Sequence, residues 1–223
     1  MLDRPVWSAL SSRHLHLSVG GALARRYATD VNLFASARDD TPAALVALLE
    51  LVHPGERIFV LQVPDIAVPS GLLPMKAGKG VQMLATRSLQ AAGSDDQIVE
   101  LTDSDAPEML ALATLTEPGP FLARTPLMGT FRGIRIGGRL AAMAGERFRF
   151  PGYTEVSGVC THPDFRGRGL ARRLSAAVAA RIEARGEQPF LHAWQTNRPA
   201  ISLYESLGFE IRATVDVKIL ERR

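Results

Sequence analysis

The chain of 223 residues contains one cysteine, Cys160, so it can form no internal disulfide, and a lone thiol suits a reducing compartment. It has no run of about 18 apolar residues, which excludes a helical membrane span. The opening MLDRPVWSAL carries Asp3 and Pro5 where an export signal has a basic head and an apolar core, so the expected location is cytoplasmic. Aromatic residues make up only 6% and are not interleaved with basic ones. The arginines between 166 and 185 and at the C-terminus therefore lack the stacking partners of a single-strand binder, and nucleic acid is not the expected partner. With a net charge of only +3, a compact anionic ligand is the more economical match for that cluster. GxxxxGK[ST] is absent, and no stretch carries all three glycines of the dinucleotide fingerprint. AGKGV (77–81) has glycines and a lysine but no strand and helix around it, and reads as structural.

What is present is a globular composition, 46% hydrophobic and 22% charged, able to build a real core. The second half is the more legible. IVEL (98–101) reads as a short strand, and TDSDAP caps a helix through EMLALATL. A loop rich in Pro and Gly follows. Gly137-Gly138 suits a two-residue hairpin turn within FRGIRIGGRLAAMAGERF, and YTEVSGVCT (153–161) is the next strand. Leu170, Leu174, Val178 and Ile182 form an i, i+4 stripe on a helix that Gly186 ends. PFLHAWQT (189–196) is a strand, PAISLYESL a helix closed by Gly208, and FEIRATVDVKIL a final strand or pair of strands. This order predicts a mixed α/β fold, a sheet with helices packed on it.

Residues 1–96 say less and read as a separate N-terminal α/β region before a domain at 97–223. DDTPAALVALLELV is a helix with Thr41 as N-cap and Pro42 at N1. RIFVLQV (57–63) is a strand, VQMLATRSL a candidate for another, and 64–80 reads as loop. His14 and His16 alternate in HLHL, which suggests an amphipathic strand more than a metal site. DTPAALVALLEL (40–51) and DAPEMLALATLT (105–116) share an Asp-x-Pro opening. Duplication and chance both account for it, and chance has the edge because this is a common helix start signal.

The junction VCTHPDFRGRGLARRL (159–174) is where chemistry concentrates. A glycine-rich turn between a strand and a helix brings unpaired helix N–H groups and the positive end of the helix dipole close to an anion. Arg166 and Arg168 add charge beside Gly167 and Gly169, so the turn could hold a pyrophosphate. Spacing alone leaves a softened turn with solvated arginines nearly as good a reading.

EVSGVCTHPDFRGRGLARRL resembles motif A of the GNAT superfamily, the CoA-dependent N-acetyltransferases, with Arg166, Gly169 and Ala171 at the motif positions. NRPAISLYESLGF resembles motif B, with Asn197, Ala200, Tyr204 and Gly208-Phe209 in register. The resemblance spans residues 97–223. In detail it is most similar to the branch that includes glycine N-acyltransferase-like enzymes, which also carry an extra N-terminal region; residues 1–96 are then open to being a degenerate GNAT-like half. It implies a GNAT-type twisted mixed sheet flanked by helices and acetyl-CoA as acyl donor, with no metal. The acceptor would be a primary amine of a small molecule or amino acid, which attacks directly in a ternary complex.

The same resemblance assigns roles. Glu155 matches a general base, whose alternative is a solvated carboxylate or an ion-pair partner of a nearby arginine. Tyr204 matches the acid that protonates the departing thiolate. The backbones of Val159 and Thr161 would bind pantetheine, with the Val159 N–H polarising the acetyl carbonyl. Arg166, Gly167, Arg168, Gly169 and Ala171 would hold the pyrophosphate. Asn197 would bind the pantetheine arm, cap the helix at Pro199, or both. His192 is the fallback base. Cys160 alternates with Glu155 and is expected on the opposite sheet face as a small buried residue. Competing readings are a protein lysine or N-terminal acetyltransferase and a catalytically silent CoA-binding module. Residues 1–96 could shape the acceptor pocket, form a homodimer contact, or complete the core.

Overall fold

The computed structural model describes residues 1–89 and 95–223. The first part contains α1 (Pro5–Leu10), β1 (Ser18–Gly20), β2 (Ala24–Tyr27), β3 (Ala35–Ala37), α2 (Pro42–Glu50), β4 (Arg57–Gln62) and β5 (Leu72–Ala85). The second contains β6 (Ile98–Leu101), α3 (Ala106–Thr116), β7 (Phe131–Ile136), β8 (Arg139–Phe150), β9 (Tyr153–Thr161), α4 (Leu170–Ala184), β10 (Gln188–Trp194), α5 (Arg198–Ser206) and β11 (Phe209–Arg222). β1–β3 form a small sheet. The other eight strands form one large sheet in the order β4-β11-β5-β10-β9-β8-β7-β6. Every neighbouring pair in it is antiparallel except β9 with β10. This is the mixed sheet flanked by helices that the sequence implies. Among the described residues, no helix is long and apolar enough to cross a membrane.

Local signals explain most elements. Thr41 caps α2 by accepting from Ala44 N at 3.4 Å, and Thr102 with Asp105 forms a capping box ahead of α3. Gly137 and Gly138 adopt φ of 59° and 81° at the β7–β8 turn, as a two-residue hairpin of this hand requires. The Leu170, Leu174, Val178, Ile182 stripe is at most 4% exposed and packs α4 onto the sheet. At about 1.5–3 kcal/mol for each large apolar side chain removed from water, that stripe outweighs any propensity difference along the helix.

Three expectations need correction. The stretch 64–80 is not all loop: β5 starts at Leu72 and runs through KAGKG. Its glycines answer to tertiary neighbours rather than to a turn. A Cβ on Gly78 would stand 3.0 Å from the Trp194 ring, and one on Gly80 would stand 2.9 Å from the Ala193 carbonyl oxygen. HLHL is not a strand; Leu15–Leu17 form a 3-10 turn with His14 buried and His16 exposed. Cys160 does not oppose Glu155. Val156 and Val159 both pack on the α4 side, and Gly158 between them has φ of 62°. The extra residue is a bulge that flips the alternation, so Cys160 joins the cluster beneath α3 with Met109 and Met143. Burial pushes its thiol up to about 11 and leaves it unreactive.

β11 is a single strand, offset near Ile211 by a register shift. It runs between β4 and β5, and β5 in turn pairs with β10. Strands from residues 1–96 thus lie in the same sheet as those from 97–223.

The N-terminal segment is anchored by a buried polar contact. His14 Nδ1 lies 2.8 Å from the Tyr27 hydroxyl, and Tyr27 stacks along Phe148 with ring centroids 6.4 Å apart. Burial, with Arg149 and His16 adding repulsion, lowers the His14 pKa from 6.5 to about 3. The unfolded chain therefore binds a proton that the folded chain refuses. This contribution to stability is complete above pH 6.5 and is lost as pH falls from there towards 3. We predict that urea stability declines over this range by at most ~1.4 kcal/mol per pH unit from this site. His14→Gln should flatten that part of the slope. Identical slopes for the two proteins would show that His14 titrates freely in the fold.

Candidate active site

β9 and β10 run side by side only briefly. They pair at Gln188 with Tyr153, Pro189 with Thr154, and Phe190 with Glu155; beyond that β9 continues to Thr161 and β10 to Trp194 without pairing. Two parallel strands that part in this way leave a wedge whose facing backbone N–H and C=O groups are not used by the ladder. The wedge opens at the carboxyl ends of both strands, where the loop 162–169 leaves β9 and Asn197 follows β10.

Glu155 occupies the apex of the wedge and is fully buried. Its carboxylate accepts from Arg147 Nε at 2.7 Å and Nη2 at 2.6 Å, from His192 Nδ1 at 2.7 Å and from Phe148 N at 3.3 Å. Four donors fill the acceptor sites of the two oxygens. Burial alone would raise the Glu155 pKa, but the Arg147 charge and the Arg147 and His192 hydrogen bonds outweigh it and hold it at about 2. The residue is the arginine ion-pair partner that the sequence left open. Its four acceptor positions are thus all engaged within the protein.

The β8–β9 register explains the pair. Arg149 faces Thr154 and Glu146 faces Val156, so Arg147 and Phe148 together stand opposite Glu155. Two residues against one is a bulge, and it turns the guanidinium onto the carboxylate. Arg147 also stacks over Phe34 and Phe148, its Cζ 4.9 and 4.6 Å from the ring centroids.

His192 is equally engaged. Its Nε2 lies 3.0 Å from Gln82 Nε2. Gln82 is itself oriented, since its Oε1 accepts from Arg212 and its Nε2 donates to the Leu2 carbonyl. The network sets the tautomer: His192 donates from Nδ1 to Glu155 and accepts at Nε2 from Gln82. With no free lone pair, the fallback base is occupied as well.

A cavity of about 220 Å³ lies in the wedge. It is lined by Val159, Asn197, Ala200 and Tyr204 from the two motifs, and by Arg147 and His192 from the network. Tyr204 is 8% exposed, and burial together with the Glu155 charge pushes its phenol up to about 12. It therefore holds its proton at neutral pH. Asn197 does cap α5, its Oδ1 accepting from Ala200 N at 3.3 Å, and it also faces the cavity.

Arg166, Gly167, Arg168 and Gly169 form an exposed loop ahead of α4, and Ala171 is half-buried in its first turn. Gly167 and Gly169 have φ of 77° and 71°, and a Cβ at either would meet no protein atom within 4 Å. The loop thus has open space over two left-handed residues at the start of a 15-residue helix, which fits a pyrophosphate. Arg168 lies over the Phe165 ring at 5.4 Å. Thr161 ends β9 with its Oγ1 buried and without a hydrogen bond among the described residues.

The structure brings Glu155, Val159, Asn197 and Tyr204 to one wedge, with the 166–171 loop at its open end. It adds Arg147, Gln82 and Glu117, which were not singled out in the sequence. The hairpin turn at Pro151-Gly152 sets Phe148 across from Glu155, and only the bulge between Glu146 and Arg149, which has no local signal, brings Arg147 onto the carboxylate. Gln82 has no local signal; its role depends on β5 lying beside β10.

The model of FR47-like proteins matches residues 131–217. The mycothiol acetyltransferase of Thermobispora bispora is 47% identical over 64 residues, 28% of this chain; the match spans 21% of that relative's length. A GCN5-related N-acetyltransferase from Kribbella flavida superposes with a TM-score of 0.67 over 98% of this chain and 95% of its own, at 17% identity, a likeness of fold alone. A crystal structure from Novosphingobium aromaticivorans, described as a candidate acetyltransferase of the GNAT family, superposes with a TM-score of 0.93. It is 43% identical, over all of this chain and 98% of that one. Shared sequence over the full length, joined to a parted parallel strand pair above a glycine-rich loop, places this chain in the GNAT acetyltransferase family, whose members use acetyl-CoA.

Proposed function

We propose that the protein transfers the acetyl group of acetyl-CoA to a primary amine by direct attack in a ternary complex. The observation that carries this reading is the parting of β9 and β10 beyond Glu155, with Tyr204 lining the gap and the 166–171 loop at its end. The pyrophosphate would lie on the first N–H groups of α4, beside Arg166 and Arg168. The pantetheine would run along the unpaired edge of β9 through the backbone of Val159 and Thr161, with Asn197 across from it.

In this arrangement the Val159 N–H would point at the thioester oxygen. An amine without its extra proton attacks the carbonyl carbon, a C–N bond forms, and the oxyanion is stabilised by that N–H. Collapse breaks the C–S bond, Tyr204 gives its proton to the departing thiolate, and the proton that the attacking nitrogen sheds as it becomes an amide restores the phenol, directly or through water. The amide and free CoA leave, and the net reaction from an ammonium releases one proton. The alternative acceptors, a protein lysine or a chain N-terminus, would undergo the same steps.

Glu155 takes a different part from the base role that the family resemblance implied. Its carboxylate ties β8, β9 and β10 together where the strands separate, and so positions the wedge. Glu155→Gln would leave the Arg147 charge buried without a counter-ion, which costs about 3–5 kcal/mol. We predict a large loss of thermal stability and of acetyl-CoA affinity together. A Glu155→Gln protein that melts like wild type and regains its rate only at high pH would restore the general-base role.

Gly169→Val should abolish the stabilisation by acetyl-CoA, seen as a vanished shift in melting temperature. The fold itself should lose only ~1–2 kcal/mol for a side chain in left-handed backbone. Normal acetyl-CoA binding by this variant would make the turn purely structural. Tyr204→Phe should leave acetyl-CoA affinity unchanged and lower turnover about 10²–10⁴-fold, read as thiol release. Unchanged turnover would move the proton donor to water.

A further inference from the structure

If the wedge transfers acetyl to an amine, as proposed above, the amine's proton must leave to a lining group or to water, and the walls must fit the rest of the molecule. Glu155 and His192 have no free lone pair, and Arg147 and Tyr204 are donors. Among the described residues that line the cavity, Glu117 is the sole carboxylate. It is exposed, and among the described residues no cation pairs with it.

The backbone holds Glu117 in an unusual way. It ends α3 with φ 49° and ψ 54°, and it is the only non-glycine residue with positive φ among those described. Glycine is the usual occupant of such a helix end. Pro118 makes the position harder still, because a proline ring disfavours helical backbone in the residue before it. A structural cap needs no carboxylate here and would be better made by glycine. Pro118, Gly119 and Pro120 continue along the cavity, and a Cβ on Gly119 would come within 3.8 Å of Arg147 Nη1. Apolar side chains also line the cavity: Phe34, Phe59, Leu61, Val215 and Val217. Phe34 and Phe59 meet edge to face at 5.8 Å, joined by a single backbone bridge.

We infer that the acceptor is a primary amine on a compact apolar body, aryl or branched alkyl. Its body lies against Phe34, Phe59 and Leu61, and its ammonium is held and deprotonated by Glu117. The N–H bond breaks, its electron pair stays on nitrogen for the attack, and the proton passes to the carboxylate directly or through one water. Because Glu117 is exposed, it returns that proton to solvent before the next turnover.

The test is acetyl-CoA turnover with phenethylamine and isopentylamine against spermidine, glycine and a lysine-containing peptide, read as free thiol. The apolar amines should react best, with KM falling about fourfold for each methylene added from propylamine to pentylamine. Phe59→Ala should raise that KM with little change in kcat. Glu117→Gln should lower kcat/KM at pH 7 by about 10²-fold or more and recover as pH approaches the amine's own pKa. Its acetyl-CoA affinity and melting temperature should stay unchanged, and Glu117→Asp should restore part of the rate. Glu117→Gly, which relieves the backbone, should be at least as stable as wild type and as slow as Glu117→Gln.

A preference for spermidine, glycine or the peptide overturns the substrate class, as does acetyl-CoA binding with no amine acetylated. An unchanged pH profile in Glu117→Gln, or full activity in Glu117→Gly, overturns the role of Glu117. Failure to bind acetyl-CoA would instead count against the acetyl-transfer reading itself.

Discussion

A buried carboxylate holds the sheet at the place where it opens. Glu155 is the last residue of β9 to pair with β10, and its side chain reaches Arg147 on β8 and His192 on β10. A parallel pair that loses its ladder would otherwise fray back toward its start, because each further separation costs only the bonds of one residue. The four hydrogen bonds on Glu155 fix the point beyond which separation is allowed and before which it is not. An apolar residue could fill the same volume, and buried ion pairs often add little to stability. It could not bind three strands at fixed distances, and fixed distances are what a cavity of about 220 Å³ requires.

The knot extends outward through residues distant in sequence. His192 leans on Gln82, Gln82 on Arg212 and the Leu2 carbonyl, and Arg212 on Asp3 at 2.6 Å. One end of this chain of contacts lies at the active-site wedge and the other at the start of the polypeptide. β5, which carries Gln82, also closes the free edge of β10. The N-terminal half therefore supplies both the support behind His192 and, through Phe34, Phe59 and Leu61, one wall of the cavity. The walls of the cavity are thus drawn from both ends of the chain.

Much of this was legible in the sequence where the signal is local. The α4 stripe, the Gly137-Gly138 turn, the limits of β9 and the Asn197 cap each follow from residues within a few positions of one another. The resemblance through RGRGLA and NRPAISLYESLGF located Tyr204 and the loop beneath the wedge. What escaped notice depends on partners far along the chain. Gly78 and Gly80 look like loop residues until Trp194 and Ala193 are laid across them. His14 looks like half of an alternating pair until Tyr27 meets it. Glu155 reads as a base by alignment, but its basicity is set by Arg147 eight positions earlier and by His192 on another strand. Motifs record residue types, whereas protonation depends on what surrounds them.

Two buried ionisable groups of the wedge, Glu155 and Tyr204, are displaced in opposite directions, the phenol chiefly by burial and then by the Glu155 charge. The Arg147 pairing holds Glu155 ionised, and the charge so retained, added to burial, keeps the Tyr204 phenol protonated up to about 12. On the proposed reading, a phenol kept protonated serves as a donor to the departing thiolate. A base, in contrast, must exchange its proton with solvent on every turnover, which a residue sealed behind four donors cannot do. The constraint that makes Glu155 a good anchor therefore makes it, on the proposed reading, a poor base. On the proposed reading, proton release passes to the rim of the cavity, where the strained end of α3 places an exposed carboxylate. Anchor and acid lie deep in the wedge while the base lies at its edge, and that separation follows from which of the three must meet water.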